Sequence, residues 1–154
     1  MQFGMNGRNP KRVVVNIGAT AQGIGAVCEV AKHRGFTTTG IVSSKAREQG
    51  VALSPCVDFV FYVKDETWGG IVPGTNTLSP TSEAMVQASQ VLVGIGGGEV
   101  ASDELLAARR MGKRVRFMPA DMNHRLALDK AASKGLAAPP DFRGAAHAAL
   151  MPKG

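Results

Sequence analysis

Two glycine-rich segments and an adjacent pair of carboxylates are the residues here whose types and spacing suit chemistry. The first segment is Gly18-Ala19-Thr20-Ala21-Gln22-Gly23-Ile24-Gly25. The second is Gly94-Ile95-Gly96-Gly97-Gly98-Glu99, and it runs on to Asp103-Glu104. Backbone N–H groups that converge at a glycine turn, or at the start of a helix, form a cradle for an anion such as phosphate. Glycine at 96, 97 and 98 is costly, of order 0.5–1 kcal/mol each against alanine in regular structure. A turn needs one or two glycines, so a run of three points to a group that must approach the backbone closely. Gly96, Gly97, Gly98 and Glu99 are therefore candidate ligand contacts at the second turn, with Gly18, Thr20, Gly23 and Gly25 at the first. Neither spacing is G-x-G-x-x-G, and no Gly-Lys-Ser/Thr follows, so neither segment is a P-loop. Asp103 and Glu104 fall early in the helix that follows. Either they interact with its positive dipole end, or a carboxylate at a phosphate site orients a hydroxyl or acts on a water.

Both segments need a strand before them and a helix after them, and the pattern supplies these. β-branched or apolar runs at 12–17, 37–42, 58–63, 90–95 and 114–118 read as buried strands. Helical spacing predicts helices over 25–34, from Pro80 to about Ser89 with Ser79 as cap, over 100–111, and over 124–134 with Asn123 as cap. Gly35, Gly112 and Gly135 are their stop signals. Strands alternating with helices predict an α/β fold, a three-layer Rossmann-like parallel sheet of about five strands flanked by helices. Ligands of such sheets sit beyond the carboxyl ends of the strands, where both glycine segments fall. Residues 1–11 read as an N-terminal arm, 12–135 as one domain and 136–154 as a tail. The stretch 64–78, with Trp68-Gly69-Gly70 and Pro73-Gly74-Thr75-Asn76, reads as a long loop of the kind that carries function. Thr75 and Ser82 are candidate polar contacts from this loop and the helix after it, and Trp68 could stack on a ring or plug a gap.

Composition narrows the classes. The chain has 154 residues, enough to bury a core without staples. No apolar run approaches the length of a membrane span, and the start lacks the build of a secretory signal, so a soluble cytoplasmic protein is expected. Cys28 and Cys56 show no metal or redox spacing and read as free buried thiols. His33, His124 and His147 are scattered, so no metal and no cofactor are expected. The net charge of +6 favours anionic ligands through a long-range field. The basic run Arg109, Arg110, Lys113, Arg114 and Arg116 reads either as a phosphate patch or as cations at a helix C-terminus. It lacks the interleaved aromatics of a nucleic-acid platform, so nucleic acid is not an expected partner.

The glycine segments also carry a resemblance. Gly23-Ile24-Gly25-Ala26-Val27, then Ala31 through Gly35-Phe36 and Gly40-Ile41-Val42, is similar to the G-L-M-G-A-V stretch and its sequel in the LOG proteins, also called lysine-decarboxylase-like or SLOG proteins. The second segment stands where that family has P-G-G-x-G-T-x-x-E. Ser82-Glu83-Ala84-Met85-Val86 and Gln90-Val91-Leu92-Val93 stand in place of the helix and strand before it. The resemblance spans about residues 13–118 and lies in order and spacing more than in letters.

It implies a Rossmann-like nucleotide-binding fold, a homodimer or dimer-based oligomer, and in enzymatic members hydrolysis of a nucleoside 5′-monophosphate at its N-glycosidic bond. Gly97 and Gly98 match the paired glycines of the motif, and Glu104 matches its catalytic glutamate. Val100 and Ala101 replace the Gly-Thr that contacts phosphate. Ser82 stands where the catalytic arginine would be, and no arginine occurs between Arg47 and Arg109. The family's first strand is either absent or is Val13–Ile17, with an internal unit lost instead.

Two functions thus stand open. One is a phosphoribohydrolase with Glu104 acting on a ribose hydroxyl or water. The other is a non-catalytic carrier or sensor of a nucleotide-like or pterin-like anion, as in the branch near the molybdenum-cofactor carrier protein. In either case the phosphate is expected at Gly96–Gly98 and the base toward Gly18–Gly25. A short-chain dehydrogenase fits less well. Its T-G-x-x-x-G-I-G turn is one residue shorter, and Glu66 stands where its lysine should follow Tyr62.

Overall fold

The computed structural model describes residues 9–21, 25–120, 124–138 and 144–151. The chain divides into two compact units, Met1–Glu66 and Thr67–Gly154. Both are α/β, with parallel strands and helices between them.

In the first unit, β1 (Val14–Gly18), β2 (Thr37–Ser43) and β3 (Phe59–Val63) form a parallel sheet in chain order. Helix α1 (Gly25–His33) makes the first crossover, as parallel neighbours require. The second crossover holds only the short α2 (Lys45–Glu48) and an irregular segment. Val42, Ala46 and Ala19 pack with Val51, Leu53 and Val60 as the core of this unit. One glycine there is fixed by packing. A Cβ at Gly40 would lie 2.6 Å from Ala19 Cβ and 3.1 Å from its Cα, so the chain leaving β1 at Ala19 can pack against β2 here only because that side chain is missing. Asp58 fastens the entry to β3. Its carboxylate accepts from the Thr38 amide at 2.9 Å and from Lys32 Nζ at 2.5 Å. These bonds, Lys32 first, hold its pKa below the usual carboxylate value.

Cys28 and Cys56 correct the expectation of free thiols: they form a disulfide, with Cα atoms 6.0 Å apart. The parallel register is the cause. It carries α1 and the segment before β3 together across residues far apart in sequence, which spacing alone cannot show.

In the second unit, β4 (Val91–Ile95) and β5 (Arg114–Met118) form a two-stranded parallel sheet. The five expected strands are all present, but in sheets of three and two. Helix α3 (Pro80–Ala88) starts as predicted, with Pro80 in its first turn and Ser79 Oγ accepting from the Ser82 amide. Helix α4 (Glu99–Arg110) makes the β4–β5 crossover, and α5 (His124–Ser133) follows β5. The expected cap Asn123 lies outside the described residues.

A last helix, α6 (Gly144–Leu150), forms where the pattern gives only a tail, and its Ala146 and Leu150 complete a core with Val86, Leu92, Leu105 and Ala108. Its short alanine-rich turn buries little apolar mass per residue, so its periodicity is faint. Lys113 does not serve its own helix. Its ammonium donates to the carbonyls of Val86, Gln87 and Ser89 and so ties off the C-terminal end of α3. Among the described residues, no helix is long and apolar enough to cross a membrane.

Candidate anion-binding site

The two glycine segments belong to different units and are built differently. In the first unit, Gly18 closes β1, and a Cβ there would meet nothing within 4 Å. The amides after it are occupied. Ala19 donates to Ile41 and Ala21 to Ala52, while Thr20 bridges to Leu53. This part of the turn is stitched to its own sheet. Gly25 is the first residue of α1. Gly23 lies outside the described residues.

In the second unit the three glycines of the run differ from one another. Gly96 has φ 60° and its amide donates to Met118, so a tight left-handed turn demands it. Gly97 has φ 121°, and a Cβ there would stand 2.6 Å from Ala101 Cβ. Its carbonyl accepts from Ala146 at the start of α6. Gly98 is different. It is the N-cap of α4 with φ −90°, which any residue adopts, and nothing lies within 4 Å of where its Cβ would be. The fold accounts for two of the three glycines and leaves the cap open.

That opening matters because the first N–H groups of an α-helix have no partner within the helix. A serine or aspartate cap would accept from one of them, whereas glycine offers no side chain to do so. The first turn of α4 therefore presents amides and the positive end of a twelve-residue helix beyond the carboxyl end of β4. Glu99 is exposed in that first turn and is its only acid.

One turn further in, Asp103 and Glu104 meet the loop after Thr67. Asp103 Oδ2 accepts from the Ile71 amide at 2.9 Å. Glu104 Oε1 accepts from the Ser82 hydroxyl at 2.6 Å, and the same hydroxyl oxygen accepts from the Gly70 amide at 2.7 Å. Gly69 and Gly70 have φ 120° and 82°. A Cβ on either would press on Ser82, Val100 or Asp103 at 2.9–3.1 Å, so this loop can lie against α3 and α4 only as glycine. Burial, partly offset by the Ser82 bond and helped by the nearby Asp103 charge, raises the Glu104 pKa to about 7. At neutral pH this carboxyl is divided between its two protonation states, which is a property of groups that pass protons.

Of the residues expected at a site, the structure joins Ser82 to Glu104 and keeps Gly96, Gly97, Gly98 and Glu99 together at the start of α4. Thr75 is not joined to them. Its hydroxyl donates to the Val72 carbonyl and accepts from the Thr77 amide, closing its own exposed turn. Gly69, Gly70 and Asp103 are the members that sequence reasoning missed as a unit. A Gly-Gly pair before a helix that carries an Asp-Glu pair was the available signal. Among the described residues, no group of three or more His, Cys, Asp or Glu could hold a metal. No protein-family model, no curated protein and no solved structure matches this chain.

Proposed function

We propose that the chain binds a nucleotide-like anion, its phosphate resting on the first-turn amides of α4. The observation that carries this is Gly98, a cap whose glycine neither its backbone angles nor its packing requires and which brings no side chain of its own to those amides. In this reading Glu99, exposed beside the cap, is the acceptor for a ribose hydroxyl. The net charge of +6 draws such a ligand in. A nucleotide-like ligand also suits the expected cytoplasmic setting and the SLOG-like pattern of the glycine segments.

Holding the ligand without cleaving it, as a carrier or sensor does, is the version the contacts favour. Ser82 in place of an arginine is tied on both sides, and Asp103 is engaged by Ile71. One observation favours the hydrolytic version instead: Glu104 titrates near pH 7 and so could exchange a proton with a ribose hydroxyl or water.

The experiment is calorimetric titration with a panel of nucleoside 5′-monophosphates and with inorganic phosphate, alongside chromatography for free base. Binding without base release supports the carrier or sensor. Base release that is lost in Glu104→Gln makes the protein a phosphoribohydrolase. No binding by any member of the panel overturns nucleotide recognition.

A further inference from the structure

Strand β3 is an edge strand, pairing among the described residues with β2 alone. Its sequence, Phe59-Val60-Phe61-Tyr62-Val63, contains no charge, proline or glycine. Phe59 is 58% exposed and Phe61 56%, and Tyr62 is exposed on the opposite face. Proteins commonly blunt such an edge with a charge, a proline or a bulge, because its free N–H and C=O groups are a template for another strand. None of these devices is present. At the end of the ladder Ser44 donates to the Val63 carbonyl at 2.8 Å, which places that carbonyl on the β2 side. Alternation along the strand then turns the N–H and C=O groups of Val60 and Tyr62 outward.

We infer that β3 pairs antiparallel with β3 of a second copy of this chain, about a twofold axis at Phe61. In this register Phe59 faces Val63 of the other copy, Val60 faces Tyr62, and Phe61 faces Phe61. Val60 and Tyr62, with outward peptide groups, form the hydrogen-bonded pairs, and the two Phe61 residues form the close pair without hydrogen bonds. Aromatic residues meet β-branched ones at each end, a favourable cross-strand combination. The flanks select the register. Asp58, just before β3 and with its own amide donating to Thr38 on the β2 side, lies at the end of the ladder beside Lys64 of the second copy, and the twofold repeats that ion pair.

Sliding by two residues one way sets Lys64 against Val60, and the other way sets Asp58 against Tyr62, so both ion pairs are lost. Asp58 already holds Lys32 and Thr38, but a carboxylate has about four lone-pair sites and can accept from a further cation. The contact is self-complementary, as a twofold dimer requires. It would join two three-stranded sheets into one of six, with four phenylalanines in a row on one face. On the other face Tyr62 lies under the Arg47 guanidinium, 4.1 Å from its ring centre.

Sedimentation of the full chain across a wide concentration range is the first test, and the expected result is a reversible dimer. A monomer at every concentration overturns the proposal. Phe61→Lys places like charges on the axis and is expected to weaken dimerisation at least about tenfold while the far-UV spectrum stays unchanged. Register is tested by single cysteines under oxidation, followed on non-reducing gels. Phe61→Cys brings two thiols to the axis with Cα atoms about 4.5 Å apart, within reach of a disulfide. Phe59→Cys faces Val63 instead and leaves its own copies far apart. A covalent dimer from Phe61→Cys with little from Phe59→Cys supports the register. Equal cross-linking of both, or a dimer that Phe61→Lys leaves intact, overturns it.

Discussion

The turn after β1 and the turn after β4 look alike as sequence, each a glycine-rich exit from a parallel strand into a helix. Their structures assign glycine different work. After β1, the amides of Ala19 and Ala21 are spent on Ile41 and Ala52, and the packing demand sits across the sheet at Gly40. After β4, Gly96 and Gly97 are required by left-handed angles and by Ala101, and Gly98 is required by neither. A glycine count therefore points to a ligand only after the fold's own needs have been subtracted. In the second turn one glycine is left, at the one position that would otherwise cap a helix.

The largest expected effects separate required glycines from free ones. Gly40→Ala and Gly97→Ala should each destabilise the protein by about 2–3 kcal/mol, the upper range for overpacking, because their added methyl meets main chain or a second Cβ. Gly18→Ala should cost about 0.5 kcal/mol or less, as for a surface change. Urea unfolding of the four-member set with Gly98→Ala tests the contrast. If Gly97→Ala were as mild as Gly18→Ala, the distinction between the turns would fail.

Next in size is the Glu104 carboxyl. Its folded pKa of about 7 lies above the ordinary 4.5. The native state therefore binds the proton more tightly than the unfolded chain does. This contribution to stability is full below pH 4.5 and is lost as pH rises through about 7, a swing of about 3 kcal/mol. Glu104→Gln keeps an acceptor for Ser82 and removes the charge. It should flatten the dependence, with a higher melting temperature than the parent at pH 8 and little difference at pH 5. An unchanged slope would mean that Glu104 is not desolvated as described.

Much of this frame is legible in the sequence. Runs of β-branched or apolar residues mark all five strands, and Ser79-Pro80 marks the start of α3 because its side chain and ring act locally. What stays hidden depends on contacts made at a distance. The Cys28–Cys56 disulfide, the Ser82–Glu104 bond and the seating of Gly70 on α4 each join residues from different elements. Their partners cannot be read from local spacing. Helix α6 was hidden for another reason: Gly144-Ala145-Ala146-His147-Ala148-Ala149-Leu150 has too few large apolar residues to show a period.

Ser82→Ala comes next in size. It removes both the acceptor of the Gly70 amide and the donor to Glu104 and should cost about 1–2 kcal/mol, the range for breaking a buried hydrogen-bonded group. The loop after Thr67 should loosen with it, seen as faster amide exchange at Gly70 and Ile71 than in the parent. Unchanged exchange would show that the loop is held by its glycine packing alone.

The smallest effect belongs to the first unit. Asp58, exposed and held below its usual pKa chiefly by Lys32, stabilises the fold above the ordinary carboxylate range and ceases to do so as pH falls through its lowered value. Asp58→Asn should lower the melting temperature slightly at pH 7 and make no difference in strong acid. A deficit that persists in acid would assign the loss to something other than charge.

The contrast between the two turns is tested most directly by nuclear magnetic resonance. A ¹⁵N-labelled sample is titrated with adenosine 5′-monophosphate, and backbone amide shifts are followed at both turns. The expected result is saturable shifts at Gly98, Glu99 and Val100, with Ala19 and Ala21 left in place. Saturable shifts at Ala19 and Ala21 without any at α4, or no shift at either turn, would contradict it.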